Sequence, residues 1–277
     1  MTDWQGIQPP EGFDWAHWVG RWDRMQARYL VRREERFALL ARVVRDTQPT
    51  VSRILDLGCG PGSLMEALLE AFPQAAVTGV DFDPAVLLLA RERLARYGRR
   101  ARVFLADLRG DAWTAGADGP VDADGPVDAV DAVVSATALH WLTEEELQAV
   151  YRQVAQLLRP GGVFLNADHV GSENRRIQAG RTRHRQAMRE REEKGDADDW
   201  DGFWEAYAQA LGEDIEAIHG RILGGWEGGI EDGLPLAWQL DALRACGFRS
   251  VDCFWRCDND AIYGGICGTQ MDADRRR

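Results

Sequence analysis

The sequence predicts an α/β fold built on a doubly wound, mostly parallel sheet. A short β-branched and aliphatic run, residues 51–57, leads directly into a glycine turn at residues 58–62. Apolar residues then recur with helical spacing from Leu64, and a second strand-like run ends in an acid at Asp81. A buried strand, a glycine turn and a helix form the opening unit of a nucleotide-binding α/β sheet.

The segment before this unit has a helical pattern. One face is made by aromatic and apolar residues that recur at intervals of three and four, namely Trp15, Trp18, Trp22, Met25 and Tyr29. A second helical run ends before Pro49. The aromatic face either packs against the main domain or covers a bound ligand. We assign residues 1–46 to an N-terminal helical lid.

The rest of the chain alternates strands and helices, as a doubly wound sheet requires. The expected helices cover residues 64–72, 84–97, 144–158 and 236–246. The expected strands after Asp81 are residues 103–105, 131–135 and 163–165, followed by a closing antiparallel hairpin at 251–256 and 261–266. A duplicated hexapeptide, DGPVDA, fills residues 118–129, and its polar, proline-bearing composition predicts a loop.

Residues 170–233 interrupt the sheet pattern. Residues 175–194 form a charged helical run, and an amphipathic helical set follows it, consisting of Phe203, Trp204, Tyr207, Leu211, Ile215, Ile218 and Ile222. We predict an α-helical cap inserted after strand five, with an outer packing layer as the alternative.

Composition limits the function classes. The chain has 277 residues and a net charge of −12, which disfavours long-range attraction to nucleic acid or anionic lipid. Its five cysteines lack metal-ligand spacing, so we expect reduced thiols and no metal. The N-terminus lacks a basic segment followed by an apolar one, and no apolar run is long enough to span a bilayer. We therefore expect a cytoplasmic protein with no membrane partner.

The glycine turn and the two acids predict the ligand class. Gly58 and Gly60 let a ligand approach the backbone, and Asp56 precedes them in an Asp-x-Gly-x-Gly-x-Gly pattern. Asp81 ends the next strand, where a carboxylate can hold a ribose diol. The dinucleotide fingerprint fails because Ser63 stands where its third glycine belongs.

Five segments resemble class I S-adenosylmethionine-dependent methyltransferases and occur in that family's order. They are DLGCGPG, GVDFDP, ADL, VVSATALHWL and LLRPGGVFL, spread over residues 51–165. The resemblance implies a Rossmann-like methyltransferase core, which we place at residues 47–169 and 234–270. It also implies S-adenosyl-L-methionine as the cofactor.

The resemblance extends to the residues around the cofactor. It implies that Asp107 holds the adenine amino group and that the Leu108 amide faces an adenine ring nitrogen. Phe82 and Ser135 end strands two and four beside the same ligand. Tyr29 and Arg33 are the candidate lid contacts, because an aromatic face attracts a sulfonium cation without competing as a nucleophile.

Two histidines are candidates for acid–base chemistry. His140 follows strand four at the carboxyl edge of the sheet, where ligands of open α/β sheets bind. Its imidazole could remove a proton from an acceptor, although a structural role at a helix start is an equal alternative. Asp168 and His169 follow strand five at the same edge and form the second candidate pair.

Three functions remain in competition. We favour methyl transfer to a small, largely apolar organic acceptor, with no nucleic acid partner and with a homodimer left open. The first alternative is tRNA modification with S-adenosylmethionine or a carboxylated derivative, which would need a basic groove made by arginines of the cap. The second is a non-catalytic domain that binds a cofactor or a partner.

Overall fold

The computed structural model describes residues 7–30, 32–117, 130–191, 197–214 and 233–268. Its centre is a seven-stranded sheet in the order β3-β2-β1-β4-β5-β7-β6. The strands are β1 (Arg53–Leu57), β2 (Ala76–Asp81), β3 (Ala101–Leu105), β4 (Val130–Ala136), β5 (Leu158–His169), β6 (Phe248–Cys257) and β7 (Asp260–Cys267). Strands β1 to β5 are parallel, and β7 runs antiparallel between β5 and β6. The predicted fold class is therefore confirmed, including the closing hairpin.

Helices cover both faces of the sheet. They are α1 (Trp15–Tyr29), α2 (Arg33–Thr47), α3 (Ser63–Ala71), α4 (Pro84–Leu94), α5 (Ala112–Ala117), α6 (Glu144–Leu157), α7 (Arg175–Arg191), α8 (Trp200–Leu211) and α9 (Leu236–Ala245). Short 3₁₀ turns occupy Ala95–Arg100 and Leu139–Trp141. No helix among the described residues has the length and apolarity that a bilayer crossing requires.

Alternating side chains of the strands build two cores. On β1, Ile54 enters a core that contains residues of α2 and α3, whereas Leu55 enters a core that contains residues of α6 and α9. This alternation follows from the two-residue period of a strand. With both faces covered, the carboxyl edge of the parallel strands is the side of the sheet on which a ligand can bind.

A third core joins the N-terminal helix to the inserted segment. Trp18 and Trp22 of α1 pack against Phe203 of α8, with ring centroids 5.9 Å and 5.2 Å apart. Residues of α4 complete this core, and the Tyr207 hydroxyl donates to the carbonyl of Ala85 in the first turn of α4. Helices α1 and α8 therefore lie over α4 as one packed unit.

The segment predicted as a lid contains helices with two different environments. Phe37 and Leu40 of α2 belong to the same core as the sheet residues, so α2 is a packing element of the main domain. The lid hypothesis consequently concerns α1 alone. The domain boundaries otherwise stay a prediction.

Two further expectations differ from the structure or lie beyond it. Strand five is longer than predicted, because Pro160–Gly162 lies inside β5 as an irregular stretch that shifts the register against β4. The duplicated loop at residues 118–129 lies outside the described residues. The same holds for the second half of the predicted amphipathic set, at Ile215, Ile218 and Ile222.

Candidate active site

The glycine turn between β1 and α3 is held by the end of β2. The Cys59 amide donates to the Val80 carbonyl at 3.0 Å, and the Gly60 amide donates to Asp81 Oδ2 at 2.8 Å. Gly58 and Gly60 both have positive φ, at 66° and 51°, a conformation that glycine adopts without strain. A Cβ on Gly60 would meet nothing within 4 Å, so the backbone there borders open space.

The same turn touches the loop that follows β4. A Cβ on Gly58 would lie only 2.3 Å from the Ala138 Cβ, so glycine is needed for this close approach. Ala138 stands two residues before His140, and Thr137 in this loop has a positive φ of 52°. The contact places the loop that carries His140 directly beside the glycine turn.

Two buried carboxylates lie at the ends of β1 and β2. Asp56 is 1% exposed, and neither of its carboxylate oxygens has a hydrogen-bond partner among the described residues. Burial first, and the neighbouring Asp81 second, raise the pKa of Asp56 well above its ordinary value. Burial likewise raises the pKa of Asp81, against the opposing effect of the backbone amides of Asp83 and Gly60. An unpartnered buried carboxylate of this kind suits a cationic group.

The other predicted cofactor residues lie on the same edge with different environments. Phe82 follows β2 and is 36% exposed. Asp107 forms a two-pronged ion pair with Arg109, at 2.6 Å and 2.8 Å; partial burial opposes ionisation, but Arg109 lowers the pKa of Asp107. Leu108 is half-buried after β3. The Ser135 hydroxyl donates to the Leu57 carbonyl and so ties β4 to β1.

The two candidate lid residues are in separate places. The Tyr29 hydroxyl accepts a hydrogen bond from the Trp200 amide, which links α1 to α8. Arg33 lies in the first turn of α2, 3.4 Å from Asp23, and Asp23 also accepts from the Ser63 hydroxyl at the start of α3. Arg33 is therefore next to the glycine turn, whereas Tyr29 faces the inserted segment. Their contacts with a cofactor stay predictions.

His140 and Asp168 form a dyad at the carboxyl edge. Asp168 Oδ1 lies 2.7 Å from His140 Nδ1, and Asp168 Oδ2 accepts from the His140 amide at 3.0 Å. Burial opposes ionisation, but His140 and then His169 lower the pKa of Asp168 to about 2. The sequence placed all three residues at this edge and named Asp168 and His169 as the second candidate pair. In the structure Asp168 contacts the His140 ring, because β4 and β5 are adjacent, and it also accepts the His169 amide.

His169 pairs with a residue that the sequence did not indicate. Its Nδ1 lies 2.7 Å from Asp260 Oδ1, because β5 and β7 are aligned with His169 opposite Asp260. Arg36 of α2, 3% exposed, lies 3.7 Å from the same carboxylate and donates to the Ala167 carbonyl. Burial acts to raise the pKa of Asp260, but His169, and then Arg36, lower it below its ordinary value. The two histidine rings are 4.8 Å apart.

The remaining histidines differ from this pair. His184 is exposed and pairs with Asp258 at the turn of the hairpin, and His17 packs its ring edge-on against Trp18 in α1. His219 lies outside the described residues. In the sequence all three occur in helical patterns away from the carboxyl edge, so we predict that they are structural.

S-adenosylmethionine fits the residues at this edge. The unpartnered carboxylate of Asp56 suits the ammonium group of its amino-acid end. The open space at Gly60 admits the chain that joins this end to the sulfur. Asp81 accepts one amide hydrogen bond on each oxygen, which leaves lone pairs for two ribose hydroxyls.

The strand order, the glycine turn and the acidic strand ends together define a nucleotide-cofactor domain of the class I methyltransferase type. Residues 55–164 match the family model described as a methyltransferase domain. This part of the chain is therefore a methyltransferase domain, consistent with the class I S-adenosylmethionine-dependent family that its motifs resemble.

Curated relatives match about half of the chain. A trans-aconitate 2-methyltransferase of Variovorax paradoxus is 38% identical over 126 residues, which are 46% of this chain and 40% of the relative. One of Azoarcus sp. is 36% identical over 147 residues, covering 52% of this chain and 49% of the relative. The match thus covers less than half the length of these relatives.

Solved structures share the fold over a larger part of the chain. DesVI of Streptomyces venezuelae aligns with a TM-score of 0.52 and 18% identity, covering 92% of this chain and 99% of DesVI. An O-methyltransferase family protein of Burkholderia thailandensis aligns with a TM-score of 0.53 and 17% identity, covering 92% and 70% of the two chains. At these identities the likeness concerns the fold alone.

Proposed function

We propose that this protein transfers a methyl group from S-adenosylmethionine to a small organic acceptor at the carboxyl edge of its sheet. The observation that carries the proposal is the close approach of Gly58 to Ala138. Through it, the loop that presents the His140–Asp168 dyad is packed on the turn that borders the cofactor. A cofactor site and a proton acceptor are thereby adjacent.

The geometry supports a simple division of roles. Bound S-adenosylmethionine supplies an electrophilic methyl group on a sulfonium centre, and in-line displacement of that group depends mainly on positioning. The glycine turn and Asp81 orient the cofactor, and His140 Nε2 takes the proton that the acceptor loses as its new bond to carbon forms. Asp168 holds the hydrogen on Nδ1 and stabilises the resulting imidazolium.

The acceptor is expected to be small, with a largely apolar body. Phe82 and Trp141, 36% and 46% exposed, are large apolar side chains that follow β2 and β4 at this edge, and the Trp141 ring lies 5.1 Å from that of His140. The relatives named for trans-aconitate make that tricarboxylate an acceptor to test. The match to them covers only about half of this chain, so other small acceptors are tested beside it.

A mass-spectrometric screen for S-adenosylhomocysteine formation tests the proposal. The purified protein, S-adenosylmethionine and a panel of small alcohols, phenols, amines and carboxylic acids, trans-aconitate included, should yield one methylated product class. With an acceptor that must lose a proton, His140→Gln should lower kcat by about 10²–10⁴-fold while cofactor affinity is unchanged. His17→Gln is the matched control, because His17 is exposed in the first turn of α1, where its ring contacts Trp18.

The outcomes separate the three functions. Cofactor binding without turnover of any acceptor would favour a non-catalytic binding domain. Full activity in His140→Gln would remove His140 as the base and leave positioning as the source of catalysis. Turnover of tRNA in place of small molecules would promote the RNA-modifying alternative.

A further inference from the structure

The two histidines at the carboxyl edge are anchored in the same way. His140 and His169 each have Nδ1 at 2.7 Å from a carboxylate oxygen, of Asp168 and Asp260 respectively. Asp168 also accepts the His169 amide at 2.8 Å, so the two dyads share one carboxylate. Only the first dyad has a role in the proposed proton transfer, and the second needs an explanation of its own.

The anchoring decides which nitrogen carries the hydrogen. A neutral imidazole has one donor nitrogen and one acceptor nitrogen. A contact of 2.7 Å with a carboxylate makes Nδ1 the donor in both rings. Arg185 Nη1 lies 3.4 Å from His169 Nδ1, but that nitrogen cannot also accept, and the shorter carboxylate contact prevails. Nε2 is therefore the acceptor atom of each ring, and no described residue bonds to either Nε2.

Charged groups of both signs lie around the His169 ring. Asp260 faces the guanidinium of Arg36 at 3.7 Å, and Arg185 Nη1 is 3.4 Å from His169 Nδ1. Among the described residues, Asp168 and His140 also lie against His169 and contact each other. With Nδ1 donating to Asp260, the neutral ring offers Nε2 as its acceptor.

Two acceptor atoms, on rings whose centroids are 4.8 Å apart, determine what can bind between them. We propose that His140 and His169 form a two-acceptor site, and that the methyl acceptor carries two neighbouring hydrogen-bond donors, as in a 1,2-diol or a catechol. His140 takes the proton of the group that is methylated, and His169 receives a hydrogen bond from its neighbour. Asp260 and Arg36 are the positioning residues that hold His169 for this purpose. The inference rests on the proposed methyl transfer and specifies its substrate class.

The structure disfavours an ionised carboxylate between the two rings. An ionised carboxylate has only acceptor atoms. Placed between the rings, it would face the two Nε2 lone pairs, and no hydrogen bond could form. Such a ligand could accept a hydrogen bond from a ring only if that ring also carried a hydrogen on Nε2. A neutral ligand with two donors satisfies both rings without any change of charge.

Nitrogen-15 NMR of the histidine side chains in the complex with S-adenosylhomocysteine tests the geometry without turnover. At mildly alkaline pH, His140 and His169 should both show the tautomer with hydrogen on Nδ1. Asp260→Asn should change the tautomer of His169 and leave that of His140 unchanged. A hydrogen on Nε2 of either ring in the unmodified protein would overturn the inference.

Calorimetry with three matched probes on the same complex tests the ligand class. Catechol should bind about tenfold more tightly than phenol or 2-methoxyphenol, which is the size of one additional hydrogen bond. His169→Phe should reduce catechol to the affinity of phenol and leave phenol unchanged, while His17→Phe, at an exposed position of α1, should alter neither. The affinity of each variant for S-adenosylhomocysteine shows that it is folded.

Three results would overturn the substrate class. They are equal binding of catechol and 2-methoxyphenol, no binding of catechol, and tighter binding of trans-aconitate than of catechol. None of them affects cofactor binding or the acceptor screen, so the proposed methyl transfer would stand. Loss of S-adenosylmethionine binding in the unmodified protein would instead remove the proposed function itself.

Discussion

At the level of single residues, Asp81 has two functions that its burial combines. Its carboxylate accepts the amides of Gly60 and Asp83 and so shapes the glycine turn, and we predict that its remaining lone pairs accept the ribose hydroxyls. Asp81→Ala should therefore weaken S-adenosylhomocysteine binding by about 2–4 kcal/mol, the effect of two charge-assisted hydrogen bonds. Calorimetry measures this, with Asp111→Ala on the exposed surface as control. A loss smaller than about twofold in affinity would mean that another residue holds the ribose.

The buried carboxyl group of Asp83 should make the stability of the protein depend on pH. Burial first, and Asp81 second, raise the pKa of Asp83 to about 7. Because this folded-state pKa exceeds the ordinary value of 3.8, the native state binds the proton more tightly than the unfolded chain does. The contribution of Asp83 to the free energy of unfolding is therefore fully present below about pH 4 and is lost as the pH rises through 7.

Asp83→Asn isolates this effect. Asparagine keeps the cap on the Ala85 amide but cannot ionise, so the variant should lose less free energy of unfolding between pH 5 and pH 8 than the unmodified protein. Urea unfolding at both pH values measures the difference. Identical pH dependence in the two proteins would show that Asp83 does not ionise in this range.

At the level of elements, the glycine turn and the loop after β4 must fit against each other. Gly58 and Gly60 have similar positive φ values, so Gly58→Ala and Gly60→Ala introduce comparable backbone strain. Only the alanine at 58 meets the Ala138 Cβ and must displace the loop that carries His140. Gly58→Ala should therefore destabilise the protein more, and urea unfolding of both variants checks this. Equal losses would show that the loop gives way without cost.

Helix α1 is the element that remains from the predicted lid. It packs on α4, which begins three residues after Asp81, and on α8. If α1 closes over the cofactor, its amides should become protected from hydrogen exchange when S-adenosylhomocysteine binds. Helix α6, which packs on the sheet, is the internal control. Equal exchange in α1 with and without ligand would leave packing as its only function.

At the level of the whole molecule, charge argues for a small acceptor. A nucleic acid is held mainly through its phosphates, and each neutralised phosphate adds a salt-dependent contribution. With a net charge of −12, the chain should bind bulk tRNA no better than about 10⁻⁴–10⁻⁶ M at physiological salt. Filter binding across a salt series measures this. Sub-micromolar affinity that falls steeply with salt would favour the RNA-modifying alternative.

Much of this architecture could be predicted because it depends on local patterns. The strand at 51–57, the glycine turn and the acid at Asp81 have periodicities and spacings that few folds accept. Chain order then places His140 and His169 at one edge, because parallel strands end on the same side. The long β5 was missed, since its Pro160–Gly162 stretch has the composition of a turn.

The sequence by itself thus determined the sheet, the cofactor edge and the candidate histidines. Only the tertiary structure decided their partners. Asp260 is 91 residues from His169 in the chain, and Arg36 is 131 residues from the Ala167 carbonyl to which it donates. These contacts arise because β7 inserts antiparallel beside β5 and because α2 packs on the sheet. Both contacts depend on how segments far apart in the chain align and pack. Local periodicity in the sequence does not indicate that arrangement.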